Sequence, residues 1–583
     1  MCMKKNGAIF ILMILLAVPV SAQDNGPLNL EVKVEGIEGA LLQNVLLSLE
    51  IEKRKNNPLL TAYMINKLHS SAPGEISRAL EPLGYYQPVI EADLESKGQH
   101  FTAVYRVEPG EPVRVNRITI TVEGPGEGQP ETAKALERFR LKVGDILVHR
   151  IYEEGNRLIL NAIREVGYLD AQLGTREVVV DPVLNTAQVL LKLETGPRYR
   201  FGHVTLEQDF LSEEYLRGFI TIEEGEPYTL AALLELERDL NDTRQFNGIN
   251  IQAPREEARD FEIPVTVKLV KGPSKRFTAG VGYGTDTGPR GSIGWEHRRV
   301  NRKGHRASIE LLGSAIKQEY TARYTVPLKH PQTDRLDYSL GWTNETVEDI
   351  DRSTYLAGTS LTWARGKVEK TLYLNYEREN FKAGAERGET NLLIPGVVWT
   401  LVVADDRVRT TTGYKGILEL KGSSQDLLLS DITFAQAHLY LKGILSVSNS
   451  LRFLARTEIG TTWVDEFTEL PPSQRYFAGG DQSVRGYGYK SIGPVDSTGE
   501  VVGGKYVLVA SMETELSLSR NWGVAAFVDS GSSFNEIPEE LETGAGMGIR
   551  WHTIIGSLRF DYAKAVSREG KPWRIHLILG PDL

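Results

Sequence analysis

Cysteine is nearly absent: the 583-residue chain has one, Cys2. With none afterwards, a disulfide scaffold, a Cys-based metal centre and a lipid anchor on a later cysteine are excluded. Long apolar runs are scarce too. One runs from Ala8 to Val18, after Lys4 and Lys5 and before Val20-Ser21-Ala22. Residues 1–22 are therefore expected to be a secretory signal; the run is far short of the ~20 residues of a membrane helix. No later run reaches that length, so the exported chain is expected to be soluble or a β-barrel. Basic charge is not in excess. The formal net charge of −10 argues against nucleic acid as a partner. Signatures of chemistry are missing as well. His297, His305 and His330 lack metal-ligand spacing, and no nucleophile elbow or phosphate loop accompanies them. No enzyme activity, cofactor or metal is expected.

What is present begins with a repeat. A helical stretch ending in Leu83-Gly84-Tyr85-Tyr86 recurs as Val166-Gly167-Tyr168-Leu169, and more weakly as Gln245-Phe246-Asn247-Gly248. Each is followed by two strand patterns, the second ending in Pro109-Gly110, Gly196-Pro197 or Gly272-Pro273. Each unit opens with a strand, at Leu30–Val34, Ile118–Val122 and His203–Leu206. Two helical patterns lie between, for example Ala133–Phe139 and Glu153–Val166; in the latter Leu158, Ala162 and Val166 share one face. The spacing predicts three β-α-α-β-β units over 23–112, 113–198 and 199–273, each burying one small core.

From Phe277 onward the period changes to two. Tyr320, Ala322, Tyr324 and Val326 alternate with Thr321, Arg323 and Thr325; Leu508, Ala510, Met512 and Leu516 alternate with Ser511, Glu513 and Glu515. Such strands have a dry face and a wet face. Too few helices or second apolar faces remain to cover so much dry surface. Aromatics such as Trp342, Trp363, Tyr373, Trp399, Tyr440 and Trp551 recur on strands or near their ends, as interfacial girdles require. Residues 274–583 are therefore expected to form a sixteen-stranded antiparallel transmembrane β-barrel. The strands begin near 277, 290, 305, 318, 335, 355, 369, 392, 413, 431, 450, 505, 522, 543, 556 and 573.

One connection, Thr462 to Gly504, is long and contains GGDQSVRGYGYKSIGP, Gly479 to Pro494. A loop arginine is ordinarily solvated. Here Glu513 and Asp529 follow closely, on the wet faces of the twelfth and thirteenth strands, and one guanidinium can satisfy two carboxylates through its fork of donors. The loop is thus expected to tuck into the barrel with Arg485 on its wall. At the ends of the barrel, Gly280, Gly282 and Gly284 weaken the first strand, and Pro581 stops the last one after Gly580 without a backbone N–H. The same glycines also suit a tightly curved barrel.

Val484-Arg485-Gly486-Tyr487 in a long loop between late strands resembles the outer-membrane insertase and secretion superfamily that includes BamA, TamA and the two-partner secretion transporters. Ser511-Met512-Glu513, Phe527-Val528-Asp529-Ser530-Gly531 and Gly556-Ser557-Leu558-Arg559-Phe560-Asp561-Tyr562-Ala563 resemble its strand motifs. The β-α-α-β-β units resemble POTRA domains, periplasmic modules that precede outer-membrane barrels. Three units, sixteen strands and the ending Gly580-Pro581-Asp582-Leu583 most resemble the TamA branch, although Leu583 is not the usual terminal aromatic. The resemblance implies a loop lock of Arg485, Gly486, Tyr487, Glu513 and Asp529. It also implies a lateral seam at Gly280, Gly282, Gly284, Gly580 and Pro581, through which outer-membrane proteins such as autotransporters assemble. The implied partners are outer-membrane lipid, unfolded outer-membrane clients and a TamB-like periplasmic bridging protein on the first repeat. A two-partner secretion transporter exporting a soluble partner and a general BamA-like insertase are the alternatives, both disfavoured by the number of units.

Overall fold

The computed structural model describes residues 28–348, 350–406, 409–426, 429–536, 540–553 and 556–580. The expected signal, residues 1–22, and Pro581 lie outside the described residues. Two compact units emerge. One holds the chain up to Phe201 together with Gly225–Ala231 and Ala258–Ile263; the other holds Gly202–Glu224, Ala232–Glu257 and Pro264 onward. The division passes through the third repeat rather than between repeat and barrel.

Each repeat folds as a three-stranded sheet in the order first, third, second. The strands are Asn29–Glu35, Val89–Lys97 and His100–Glu108; then Arg114–Glu123, Gln172–Asp181 and Thr186–Glu194; then Arg200–Glu207, Phe246–Gln252 and Glu262–Lys271. In the first two repeats the opening strand pairs in parallel with the third, and the second and third form an antiparallel hairpin. The central strand alternates so that Phe101, Ala103, Tyr105 and Val107 are buried in the first repeat's core. The first repeat has three helices where two are expected: Gly39–Ser48, Glu50–Arg54 and Ala62–Leu80. Leu49 takes an extended backbone between the first two and is fully buried, so the chain breaks its helix to bury that side chain.

Gly84 and Gly167 leave their helices at φ +96° and +101°, a left-handed exit that suits glycine. The third motif behaves differently. Gly248 lies inside a strand beside a register shift, and the positive-φ residue after helix Leu230–Asp242 is Arg244, at +52°. The expected third Gly hinge is thus a strand bulge, which is why its motif reads weakly.

The barrel comprises sixteen strands in unbroken sequence order, from Lys275–Gly284 to Trp573–Gly580, each antiparallel to the next. Most begin within three residues of their expected starts. The sixth (Ile350–Arg365) and eighth (Glu386–Ala404) begin earlier, at 350 rather than 355 and 386 rather than 392. Their ends carry no dry-and-wet alternation because the long loop covers them. Ile350 and Ala383 pack with Val502 of the loop, and Leu392 and Ile394 pack with its Leu470.

Apolar groups on the outer face stand open in rows, among them Leu340, Met512, Met547 and Ile549. Trp522 stacks on Trp551 at 5.7 Å, and Tyr562 on Trp573 at 5.6 Å. Two of the expected girdle aromatics do not belong to this face. Tyr373 donates to Glu419 Oε1 at 2.7 Å, and Tyr440 pairs across strands with Glu458. Both point into the lumen, Tyr440 lining its cavity beside Arg456 and Glu458.

Within the second unit, the turn after the second barrel strand (Gly288–His297) grips the third repeat. Buried Arg299 donates to the carbonyls of Gln245 at 3.3 Å and Gly272 at 3.0 Å, and lies 4.9 Å from the centroid of Phe210. Among the described residues no helix is long and apolar enough to cross a membrane; the spanning elements are the strands.

Candidate functional site

The segment between the eleventh strand (Leu451–Val464) and the twelfth (Tyr506–Ser517) lies against the inner wall. Val484 is fully buried and Arg485 is 5% exposed. One edge of its guanidinium binds Asp529 in a bidentate pair, Nε to Oδ2 at 2.7 Å and Nη2 to Oδ1 at 3.0 Å, and the Arg485 amide donates to the same carboxylate at 3.1 Å. Nη1 donates to Glu513 Oε2 at 2.7 Å and to Asp561 Oδ2 at 2.9 Å. The guanidinium carbon sits 3.4 Å from the centroid of Phe527, a cation over an aromatic face.

Strand parity explains the arrangement. Glu513 and Glu515 on the twelfth strand, Phe527 and Asp529 on the thirteenth (Trp522–Phe534), Arg550 on the fourteenth (Glu542–Thr553) and Asp561 on the fifteenth (Gly556–Ala565) all sit on wet faces of successive strands. Arg550, fully buried, binds Glu513 at 2.6 Å, Glu515 at 3.0 Å and Asp561; Arg452 of the eleventh strand binds Glu515. Four carboxylates thus face three arginines in one buried network. Space for the loop comes from the fourteenth strand. A Cβ on Gly544 would stand 1.8 Å from Arg485 O, and one on Gly548 1.8 Å from Asp561 Oδ1.

The remaining expected lock residues are near. Gly486 N donates to His576 Nε2 at 2.9 Å, and Tyr487 Oη donates to Glu542 Oε2 at 2.6 Å. The structure therefore brings Arg485, Glu513 and Asp529 into one contact set. Gly486 and Tyr487 instead hold the last strand and the start of the fourteenth. Sequence reading missed Arg550, Asp561 and the Gly544-Gly546-Gly548 run. The last had a signal: glycine at period two on a strand bares one whole face. Other loop residues reach distant walls. Lys490 Nζ donates to Glu345 Oε1 at 3.0 Å and Arg475 Nη2 to Glu386 Oε2 at 2.6 Å.

The expected seam residues are arranged otherwise. Gly280, Gly282 and Gly284 lie on the inner face of the first strand, opposite Val281, which is 97% exposed. That strand pairs with the second from Lys275↔His297 to Gly284↔Gly288, and the last strand pairs with the fifteenth up to Ser557↔Gly580. Among the described residues no strand ladder joins first to last. One backbone donor crosses, Leu577 N to Thr285 Oγ1 at 3.2 Å. In the turn beyond the first strand, burial and then the neighbouring Asp481 carboxylate push the Asp286 carboxyl up to about 6, offset in part by the hydrogen bond it accepts from Asp481 N.

Residues 300–580 match the model of the Omp85 superfamily domain, and residues 31–109 match that of POTRA domain TamA domain 1. The chain belongs to the Omp85 superfamily. It is 24% identical over 447 residues to the outer membrane protein assembly factor BamA of Nitratidesulfovibrio vulgaris, covering 71% of this chain and 54% of that protein. It thus spans about half that relative's length. The BamA of Neorickettsia risticii is 18% identical over 518 residues, 84% of this chain and 68% of the relative. Among solved structures, BamA from Haemophilus ducreyi lacking POTRA domains 1–3 superposes with a TM-score of 0.63 at 18% identity, covering 80% of this chain and 98% of that one. This Omp85 member is an outer-membrane barrel whose N-terminal POTRA domains lie in the periplasm.

Proposed function

We propose that this Omp85 protein is the outer-membrane subunit of a TamA-type translocation and assembly module. It assists outer-membrane proteins such as autotransporters to enter the bilayer through the seam between its first and last strands. The observation that carries the reading is the unladdered seam. An edge with free backbone donors and acceptors is a template for a client strand, and a single crossing donor makes the edge inexpensive to expose. The TamA-type first POTRA domain supports this branch over others. The barrel works by pairing and positioning, with no catalytic group and no cofactor. Its surroundings are outer-membrane lipid, and a TamB-like bridging protein docks on the first repeat. A general BamA-like insertase is the second reading, favoured by the two assembly-factor relatives.

The chain's lack of cysteine after Cys2 makes the test clean. One cysteine placed within 277–284 and one within 574–580 give a single disulfide across the seam. Client assembly is expected to stop when it is oxidised and to return on reduction; normal assembly with the crosslink fully formed overturns the reading. Deleting residues 23–110 is expected to abolish capture of the bridging partner while the barrel still folds. An unchanged partner set removes that docking site.

A further inference from the structure

The seam lacks a ladder, yet its ends meet through one side chain of the tucked loop. Asp481 Oδ1 accepts the Thr285 hydroxyl at 2.9 Å, from the turn after the first strand, and also faces His576 Nδ1, from the last strand. Asp481 N donates to Asp286 Oδ2 at 2.6 Å. Thr285 Oγ1 in turn accepts Leu577 N, and His576 Nε2 accepts Gly486 N. The donor and acceptor roles close consistently. A backbone N–H can only donate, so Nε2 is the bare nitrogen and the ring's proton sits on Nδ1, aimed at Asp481. That tautomer offers Asp481 a donor, and leaves no lone pair on Nδ1 for a metal ion between His576, Asp481 and Asp286.

We infer that Asp481 is the clasp of the seam. It holds the first and last strands together in place of backbone bonds, and the edge becomes available only when Asp481 lets go. The clasp is anchored four residues from Arg485, so its fixed end is the buried wall and its releasing end is the seam. His576 is fully buried, so the bond it makes is shielded from water and stronger than the same pair in solvent. The inference deepens the lateral-seam reading and rests on it for its purpose, though not for its geometry.

The test is hydrogen exchange on the full-length protein folded in detergent, comparing wild type with Asp481→Ala. Peptides covering 275–284 and 573–580 are expected to exchange about tenfold faster, the effect of losing one or two hydrogen bonds. Peptides covering 506–517 and 522–534 are expected to stay at the wild-type rate. Unchanged exchange at the seam, or an equal rise at seam and wall, overturns the clasp. Thr285→Val gives a second variant should Asp481→Ala not fold; it removes the hydroxyl that links Asp481 to Leu577 and leaves the wall untouched. A seam that loosens without any effect on client assembly keeps the clasp and defeats the lateral-seam reading. A seam disulfide that blocks assembly, with no loosening in Asp481→Ala, does the reverse.

Discussion

Two stretches of one barrel wall are built on opposite terms. Under the loop, strands eleven to fifteen carry four carboxylates and two arginines, which Arg485 completes with a bidentate and two single contacts. At the seam, the first strand shows the lumen three glycines, and among the described residues one backbone donor crosses from the last strand, to Thr285 in the turn that follows. The comparison assigns opposite mechanical roles to neighbouring regions. Ion networks buried without water hold one geometry, because any displacement strands a charge. A strand whose inner face is mostly glycine, paired in a ladder along one edge only, has little to lose by moving.

The comparison breaks most severely at Arg485. Arg485→Ala leaves Asp529 and Asp561 buried with fewer partners, and a loss on the order of 3–5 kcal/mol is expected, read from urea unfolding of the folded barrel. Arg485→Lys keeps the charge without the fork and is expected to fall between. A lysine variant as stable as wild type would show that charge alone holds the loop. Next is Gly544→Ala. Its Cβ would meet Arg485 O, so the loop must shift, at a cost of about 1–3 kcal/mol. Unchanged stability there means the wall yields, contrary to the rigidity assigned to it.

The smallest expected effect is at the seam, and it depends on pH. The raised Asp286 carboxyl, about 6 against an ordinary 3.8, means the folded state takes up its proton more readily than the unfolded chain. Its contribution is complete in acid and is lost as pH rises through 6. Asp286→Asn keeps an acceptor for Asp481 N and carries no charge. It is expected to stabilise the protein by about 1 kcal/mol at pH 8, after allowance for solvent screening, with the gain gone at about pH 3, below the unfolded-state value. A gain of the same size at both values would refute that origin.

The fold was largely legible because lipid imposes period two on every strand, and Leu508 to Ser517 states both faces outright. Where lipid stops imposing it, legibility fails: the sixth and eighth strands continue into hairpins packed on the loop, and Tyr373 and Tyr440 look like girdle residues until their lumenal neighbours are seen. Arg485 was legible through its odd setting and the nearby carboxylates. Arg550 was not, since an arginine on a wet face looks the same whether it meets water or Glu513. Asp481 and His576 are 95 residues apart on different elements, and nothing local to either marks the other.

The bare inner face of the first strand bears on grammar as well as strength. Thr278, Gly280, Gly282 and Gly284 give a neighbour pairing along this edge almost nothing to count against, and glycine-rich strands fix register weakly. Under the proposed lateral-seam function, the edge would dictate the direction of an incoming strand and leave its phase open. A newcomer can step along by two residues and find the same surface again. Its height is then set by Phe277, Val281 and Tyr283 on the outer side, which are read by the membrane rather than by the strand. Such an edge can accommodate many sequences without favouring any one.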